Sequence, residues 1–247
     1  MKPNWKRIAL IGGVVLAAAA GITLLSIFVF APAARYAKAD ALLDADDIAG
    51  AYEAFDRMGD HRDAPARKLQ LQEEVIASRT SGTMEFGGME WLVLEERDGK
   101  ALLLLKGLCA ELPFHETLAD IGWEGCTLRL WLNGAFYKSF SEAERARIVE
   151  TTIRNRGNAQ YGVKAAAETT DSIFLLSLEE AKLYFPGDAA RVALDAKGAA
   201  AWWWLRSPGL EPYLAAVVGG DGAPGYAGSG VNYANRGVRP AVWVATG

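Results

Sequence analysis

The stretch that decides the fold begins Trp202-Trp203-Trp204-Leu205-Arg206-Ser207-Pro208 and ends Gly237-Val238-Arg239-Pro240-Ala241-Val242-Trp243-Val244. Both ends are aromatic and apolar runs bounded by Pro or Gly, a pattern typical of β-strands. The residues between them are rich in Gly, Ala, Tyr and Asn, which predicts turns and loops. We therefore expect a rigid aromatic frame that carries an exposed polar excursion, an arrangement that suits a binding surface.

The polar excursion and the first strand supply the candidate binding residues. Tyr, Asn, Ser and Gly combine rigid contact area with adaptable hydrogen bonding in binding loops. The candidate ligand-binding residues are Trp204, Arg206, Tyr226, Asn232, Tyr233, Asn235 and Arg236. The alternative is a glycine-rich hairpin that only links two core strands. Arg206 and Arg239 could meet an anionic ligand, although an arginine among apolar strand residues is more often paired internally.

Side-chain alternation constrains the three consecutive tryptophans. Neighbouring side chains of a strand point to opposite faces. In a strand that contained all three residues, Trp203 would face one way and Trp202 with Trp204 the other. We expect at least one of these faces to be core.

The N-terminal part of the chain predicts a membrane anchor. Residues 8–30 contain no charged side chain, and a helix of this length would span about 35 Å, against a hydrocarbon core of about 30 Å. Cleavage of a signal peptide at Ala31-Pro32-Ala33 is the alternative, but the apolar run exceeds the about 7–15 residues usual in such peptides. We expect a cytoplasmic tail at 1–7, a transmembrane helix at 8–30 and an extracytoplasmic remainder, because basic residues precede the span.

Charge and cysteine content exclude several classes of function. The formal net charge is −4, and it is −8 beyond residue 35, since four of the 26 basic residues and none of the 30 acidic ones lie in residues 1–35. An acidic surface argues against nucleic acids and anionic lipid as partners. Cys109 and Cys126 could form a disulfide or remain two buried thiols. With two histidines besides, the chain offers no metal-ligand spacing, so we expect no metal or cofactor.

Residues 34–80 predict a helical spacer. Apolar residues recur at helical spacing from Ile48 through Ala51, Tyr52 and Phe55 to Met58. Asp46 or Asp47 would cap this helix, and Gly59 would end it. The pattern resembles about one tetratricopeptide repeat, without a second copy at the expected period, so a spacer is favoured over a peptide-binding array.

From residue 81 the sequence predicts a mixed, largely antiparallel α+β domain that ends at 247. Short strands, turns and isolated helices occur without regular βαβ alternation. The local signals are a hairpin turn at Asp98-Gly99, a helix cap at Thr127, a helix break at Asn133-Gly134, and capping boxes at Ser141 with Glu144 and Ser177 with Glu180.

Several ordered runs carry a family resemblance over roughly residues 82–244. They are Phe86-Gly87-Gly88, Cys126-Thr127-Leu128-Arg129, Thr169-Thr170-Asp171-Ser172-Ile173-Phe174, Trp203-Trp204-Leu205-Arg206-Ser207-Pro208 and Gly237-Val238-Arg239-Pro240-Ala241. Together they resemble a bacterial domain-of-unknown-function family found at the C-terminus of anchored or secreted proteins. The resemblance implies a remote likeness to the C-type-lectin and formylglycine-generating-enzyme fold, in which a terminal Gly-x-Arg strand closes the sheet.

Catalytic patterns are weak in this chain. His61 and His115 have no ligand-spaced partners, and Gly220-x-Gly222-x-x-Gly225 has Pro224 where a phosphate-binding helix would begin, so it predicts hairpin turns. Formylglycine generation would need C-terminal cysteines, yet none follows Cys126. We therefore expect non-enzymatic recognition of a cell-surface polysaccharide, peptide or protein. The alternatives are an enzyme of that fold with an unidentified site and a structural envelope component.

Overall fold

The computed structural model describes residues 31–45, 47–77 and 82–247. The predicted cytoplasmic tail at 1–7 and transmembrane helix at 8–30 lie outside these residues. Within the described ranges, no helix combines the length and the apolar character needed to cross a membrane. The chain forms two compact units, Met1–Leu71 and Gln72–Gly247.

The first unit is helical. Its helices are α1 (Ala31–Asp44), α2 (Ile48–Asp56) and the first half of α3 (Ala64–Ala77). Asp47 caps α2, because its carboxylate accepts a hydrogen bond of 3.1 Å from the backbone N–H of Gly50. The alternative cap, Asp46, is outside the described residues. Gly59 has a φ of +53° in the turn after α2, a backbone conformation that favours glycine.

Aromatic packing holds the helices of this unit together. Ala51, Tyr52 and Phe55 on the predicted apolar face of α2 are buried. The rings of Tyr36 and Phe55 meet edge to face with centroids 5.4 Å apart. The guanidinium of Arg67 covers the Phe55 ring at 5.6 Å. The residues predicted as a spacer therefore have a small core of their own.

Two five-stranded sheets form the second unit. The first has the order β1 (Thr83–Phe86), β2 (Met89–Arg97), β3 (Lys100–Leu105), β14 (Ala241–Ala245) and β7 (Ile173–Phe174), and all its neighbours are antiparallel. The second has the order β12 (Pro224–Gly230), β11 (Leu214–Val218), β10 (Trp203–Pro208), β13 (Gly237–Val238) and β4 (Ala110–Glu111). Its β10–β13 pair is parallel and the others are antiparallel.

A pair of chain segments passes from one sheet into the other. β3 leads to β4, and β13 leads to β14, so the two segments run antiparallel through both sheets. Between the ladders, Leu105 donates to the carbonyl of Pro240 and Cys109 donates to the carbonyl of Val238. Arg239 lies at this crossing. The terminal segment with the Gly-x-Arg motif is therefore interior in both sheets.

Shorter elements complete the unit. They are the hairpins β5 (Thr151–Ile153) with β6 (Thr169–Asp171) and β8 (Ala193–Leu194) with β9 (Ala200–Ala201), a 3-10 turn at Trp123–Gly125, a π-helical turn at Leu132–Phe136, and the helices α4 (Thr127–Trp131), α5 (Tyr137–Ser139), α6 (Glu142–Arg145), α7 (Leu178–Tyr184) and α8 (Asp188–Arg191). With the antiparallel sheets, they make this an α+β domain, as predicted.

The turn and cap signals are confirmed with two exceptions. Asp98 and Gly99 take the positive φ values of the predicted hairpin turn, and both capping boxes form. The cap at Thr127 was wrong by one residue, because the Cys126 sulfur accepts the hydrogen bond from Arg129. The break at Asn133-Gly134 was also wrong, since the helix continues there through the π-helical turn.

The strand that was expected to contain the three tryptophans begins at Trp203, so the alternation of side chains between its two faces starts there. Trp202 precedes β10 and is 47% exposed, whereas Trp203 and Trp204 are both fully buried. Both faces of β10 are therefore covered by core. Trp202 is not part of the strand, so the period-two prediction does not apply to its side chain.

Candidate functional site

An exposed cluster of aromatic and polar side chains lies where β10 and β13 begin. We call Trp202, Tyr233, Asn235 and Arg236 the Trp202 cluster. The Arg236 guanidinium lies 5.0 Å from the centre of the Trp202 ring and 5.6 Å from that of Tyr233. Its Nη1 donates to the side-chain oxygen of Asn235 over 2.9 Å. Cation–π and hydrogen-bond contacts thus link the side chains of the cluster.

Backbone pairing brings these residues together. Trp203 pairs with Gly237 in the parallel ladder, and Gly237 donates a 2.7 Å hydrogen bond to the carbonyl of Trp202. Residues 202 and 236 are therefore neighbours although 34 positions separate them. The preceding turn is anchored at Val231, which donates to the carbonyl of Tyr213 and accepts from the N–H of His115.

The cluster offers aromatic surface to solvent. Trp202 is 47% and Tyr233 is 52% exposed, and the predicted residues Asn232 and Asn235 are exposed as well. Tyr, Trp and Arg are the residue types that most often dominate binding energy at interfaces. Sequence reasoning missed Trp202, because only the parallel pairing shows that it precedes the strand and borders the loop.

The other predicted site residues lie elsewhere in the fold. Trp204 is buried and donates from its indole nitrogen to the carbonyl of Leu112 over 2.8 Å. Tyr226 is half-buried in β12, the edge strand, where its carbonyl accepts from the amide of Asn158 over 2.7 Å. Arg206 is also buried. The structure thus groups Tyr233, Asn235 and Arg236 and separates Trp204 and Arg206 from the exposed surface.

Arg206 is held by an internal ion pair. Its two terminal nitrogens donate to the two carboxylate oxygens of Glu180 on α7, one of them over 2.6 Å, and Nη1 also donates to the carbonyl of Leu175 over 2.7 Å. Burial acts to lower the pKa of Arg206, but the charge and hydrogen bonds of Glu180 outweigh it, and the pKa is raised. The expected internal pairing is confirmed.

The two cysteines are free thiols. Burial raises the pKa of Cys109 and of Cys126 from an ordinary value of 9.0 to about 12. The thiolate is the reactive form of cysteine, so both side chains are poor nucleophiles in the folded protein near neutral pH. Of the two possibilities left open by spacing, the structure has the unpaired thiols.

We expect neither thiol to react with Ellman's reagent at pH 8 in the folded protein, and both to react in denaturant.

Because each folded pKa exceeds the unfolded value, the folded state holds more protons between pH 9 and 12. The cysteine contribution to stability is therefore present below pH 9 and is lost as the pH rises above it. Thermal unfolding from pH 8 to 10.5 measures this loss, with Cys109→Ala/Cys126→Ser as the control whose Tm should fall less steeply. Equal slopes, or rapid labelling of the native protein, would contradict the assignment.

Histidine chemistry has little support in this fold. The ring nitrogen Nδ1 of His115 accepts a hydrogen bond of 3.2 Å from the backbone N–H of Thr127, which ties its loop to the start of α4. Among the residues that the structure describes, no three His, Cys, Asp or Glu side chains come together as metal ligands.

Comparison with known proteins identifies one family. A family model described as a domain of unknown function (DUF6273) matches residues 98–246, which is more than half of the chain. No curated protein and no solved structure matches the chain.

Proposed function

The chain belongs to the family described as a domain of unknown function (DUF6273), and from this premise we propose that it is a recognition module that binds a cell-surface polysaccharide through the Trp202 cluster. The observation that carries the proposal is the exposure of two aromatic rings that both contact one guanidinium. Such rings are large and rigid, so contact with a ligand costs them little conformational entropy.

The chemistry of the cluster suits a sugar. Aromatic faces carry partial negative charge and attract the weakly positive C–H groups of a pyranose ring. Arg236, Asn235 and Asn232 supply hydrogen-bond donors and acceptors beside the rings for hydroxyl groups. A peptide or a partner protein could use the same surface, so the experiment includes them as competing ligands.

The proposed location rests on the uncharged apolar run at residues 8–30. The uncharged run at 8–30 would anchor the protein in the cell membrane, with residues 1–7 in the cytoplasm. The helices of residues 34–80, similar to one tetratricopeptide repeat, would hold the domain at 81–247 off the bilayer. A C-type-lectin-like fold for that domain is part of this proposal, as is bacterial origin.

The chemistry of the two cysteines and of Arg206 favours recognition of a ligand over catalysis. The raised pKa of both thiols keeps the candidate nucleophiles protonated at neutral pH. Arg206 is neutralised by Glu180.

Titration of the full-length protein in detergent micelles against a panel of envelope polysaccharides, peptides and short glycans tests the proposal. We expect saturable binding to at least one polysaccharide. Because hot-spot residues contribute more than about 1 kcal/mol each, Trp202→Ala/Tyr233→Ala should weaken that binding at least about tenfold. The free energy of unfolding of this double variant should stay within about 0.5 kcal/mol of the wild-type value, since both side chains are exposed.

The matched control is Tyr161→Ala, which removes a similarly exposed tyrosine (39%) outside the cluster and should bind as wild type does. Undiminished polysaccharide binding by the double variant would contradict the proposed surface. Binding of a peptide alone would replace the polysaccharide with a protein partner.

A further inference from the structure

A partly open cavity of about 70 Å³ lies in the second unit, lined by residues different from those of the Trp202 cluster. Most of its lining surface is apolar, although five of its 14 lining residues are polar or charged. The residues that matter to its chemistry are Phe114, Ile121, Trp123, Asn155, Arg206 and Leu214. At about 10–15 Å³ for each water-sized group, it has room for about five such groups. It therefore fits a small substituent of a ligand and not a whole sugar ring.

Two residues that line the cavity each have a buried polar atom with no hydrogen-bond partner within the part of the chain that the structure describes. The two atoms are Nε of Arg206, a donor, and Oδ1 of Asn155, an acceptor. Arg206 is 5% and Asn155 is 6% exposed. A buried polar group that lacks a hydrogen bond carries a free-energy cost in the folded protein. A ligand that accepts from Arg206 and donates to Asn155 would recover this cost.

Hydrogen bonds hold the Asn155 side chain in the cavity wall. The Asn155 amide donates to the carbonyl of Ala167 over 2.7 Å and to the hydroxyl of Thr169 over 3.3 Å. Thr169 donates in turn to Asp171, which also accepts a 2.8 Å hydrogen bond from the indole of Trp123. These bonds fix the orientation of Asn155, so its free oxygen is preorganised.

The loop of residues 154–168 that covers the cavity is also specified by its sequence. A Cβ atom at Gly157 would lie 1.9 Å from the carbonyl oxygen of Val163, so this approach of the two loop arms requires glycine. Ala166 donates from its backbone to the carbonyl of Asn155 and closes the loop. The cavity lining from this loop therefore has a defined shape.

Charge balance favours a neutral ligand group. Arg206 is paired with Glu180, and the charges of Glu179 and Glu180 act on Arg156, whose pKa is lowered by burial. Lys164 and Glu124 add one charge of each sign at the rim. Because the positive and negative charges around the cavity balance, an anionic ligand would gain little electrostatic free energy. A neutral group that offers one acceptor and one donor fits the cavity better.

We infer that this cavity binds the acetamido group of an N-acetylated amino sugar. The acetamido carbonyl would accept from Arg206, its N–H would donate to Asn155, and its methyl group would contact the apolar wall. A primary amide would bring a second N–H that needs another acceptor, and an ester would leave Asn155 unpaired. The charged lining residues Lys164, Glu124 and Arg156 suit the hydroxyl groups of a sugar better than the aliphatic stem of an acetylated lysine. As to the sugar, the inference rests on the proposed polysaccharide recognition.

The first experiment isolates the acetamido chemistry. N-Methylacetamide is titrated into the full-length protein in detergent micelles while the ¹⁵N NMR signal of the Trp123 indole is recorded. We expect a saturable shift with a Kd on the order of millimolar, given the few atoms of this probe. Methyl acetate, which has the same shape and lacks the N–H, should bind at least about tenfold more weakly.

A pair of variants places the binding in the cavity. Ala166→Phe puts a large side chain at an exposed lining position and should weaken the N-methylacetamide shift at least about tenfold. Ala167→Phe changes the adjacent exposed residue, which does not line the cavity, and should leave the shift unchanged. Asn155→Leu should also abolish the shift. If Asn155→Leu does not fold, the comparison of Ala166→Phe with Ala167→Phe still shows whether the probe binds in the cavity.

The last step separates the possible sources of the group. N-Acetylglucosamine should displace N-methylacetamide at a lower concentration than N-acetyl-lysine methyl amide does, whereas glucose should not displace it. Competition only by the acetyl-lysine derivative would overturn the sugar assignment. Absence of any saturable N-methylacetamide shift, or an equal shift in Ala166→Phe, would overturn the site itself. Either result is independent of the Trp202→Ala/Tyr233→Ala titration, so failure of this inference and failure of the proposed function are distinguishable.

Discussion

An Arg239→Ala variant is expected to lose about 3–5 kcal/mol of unfolding free energy. The Arg239 side chain is 1% exposed. It donates to the carbonyls of Leu105, Lys106 and Arg191 over 2.9, 3.1 and 3.2 Å. Its guanidinium also lies 5.0 Å from the centre of the Trp203 ring.

The position of Arg239 explains the size of this loss. Leu105 and Lys106 are at the crossing where one ladder ends and the next begins, so the carbonyls at this point need a side-chain donor. Alanine would leave buried acceptors with fewer partners and a cavity beside the Trp203 ring. A lysine would keep one donor group, but its single amine cannot reproduce the planar fork that reaches three carbonyls, so Arg239→Lys should lose an intermediate amount.

Urea denaturation followed by tryptophan fluorescence measures this effect, since the unit Gln72–Gly247 holds every tryptophan except Trp5. The control is Arg236→Ala, which removes another arginine stacked on a tryptophan, but at the half-exposed surface. It should change the free energy of unfolding by no more than about 0.5 kcal/mol. A loss below about 1 kcal/mol in Arg239→Ala would show that the crossing does not depend on this side chain.

The second large effect is expected at the ion pair of Arg206 and Glu180. Removing either partner alone should cost about 3–5 kcal/mol, because the other charge would be left in a largely buried position. The Arg206 side chain is 4% and the Glu180 side chain 18% exposed. Replacing both, as Arg206→Met/Glu180→Leu, should be less destabilising than the sum of the single variants, since apolar groups of similar volume need no partner.

A double-mutant cycle from urea denaturation checks this coupling. An interaction free energy of about 0.5–3 kcal/mol is expected. Glu180→Gln is the conservative control, because it removes the charge but keeps an acceptor for the backbone N–H of Ser177, to which the carboxylate is bonded over 3.0 Å. It should lose less than Glu180→Ala. Strict additivity of the single losses would mean that the two side chains act independently.

The predicted α+β character and several helix and turn signals agree with the structure because they depend on neighbouring residues. Asp47 caps α2, and Ser177 with Glu180 begins α7, since their side chains reach backbone N–H groups within one turn. Asp98-Gly99 forms a turn because both residues tolerate a positive φ. These local preferences act in the same way wherever the segment lies in the fold.

The candidate site was predictable only in part. Tyr233, Asn235 and Arg236 lie together because they share one turn, and the composition of the turn is what predicted a binding surface there. Trp202 was missed, while Trp204 and Arg206 proved to be buried. A period-two pattern cannot tell which residue begins a strand, or whether one or both of its faces are covered.

By itself, then, the sequence determined the elements whose stability is local: the capped helices, the Asp98-Gly99 hairpin and the glycine-bearing turns. Only the tertiary structure decided the pairing of Trp203 with Gly237, the ion pair between Glu180 and Arg206, and the cavity beside Asn155. The physical reason is that these features join segments far apart in the chain. Their register and side-chain direction depend on how the two sheets bury their apolar faces. That burial depends on the packing of the whole second unit.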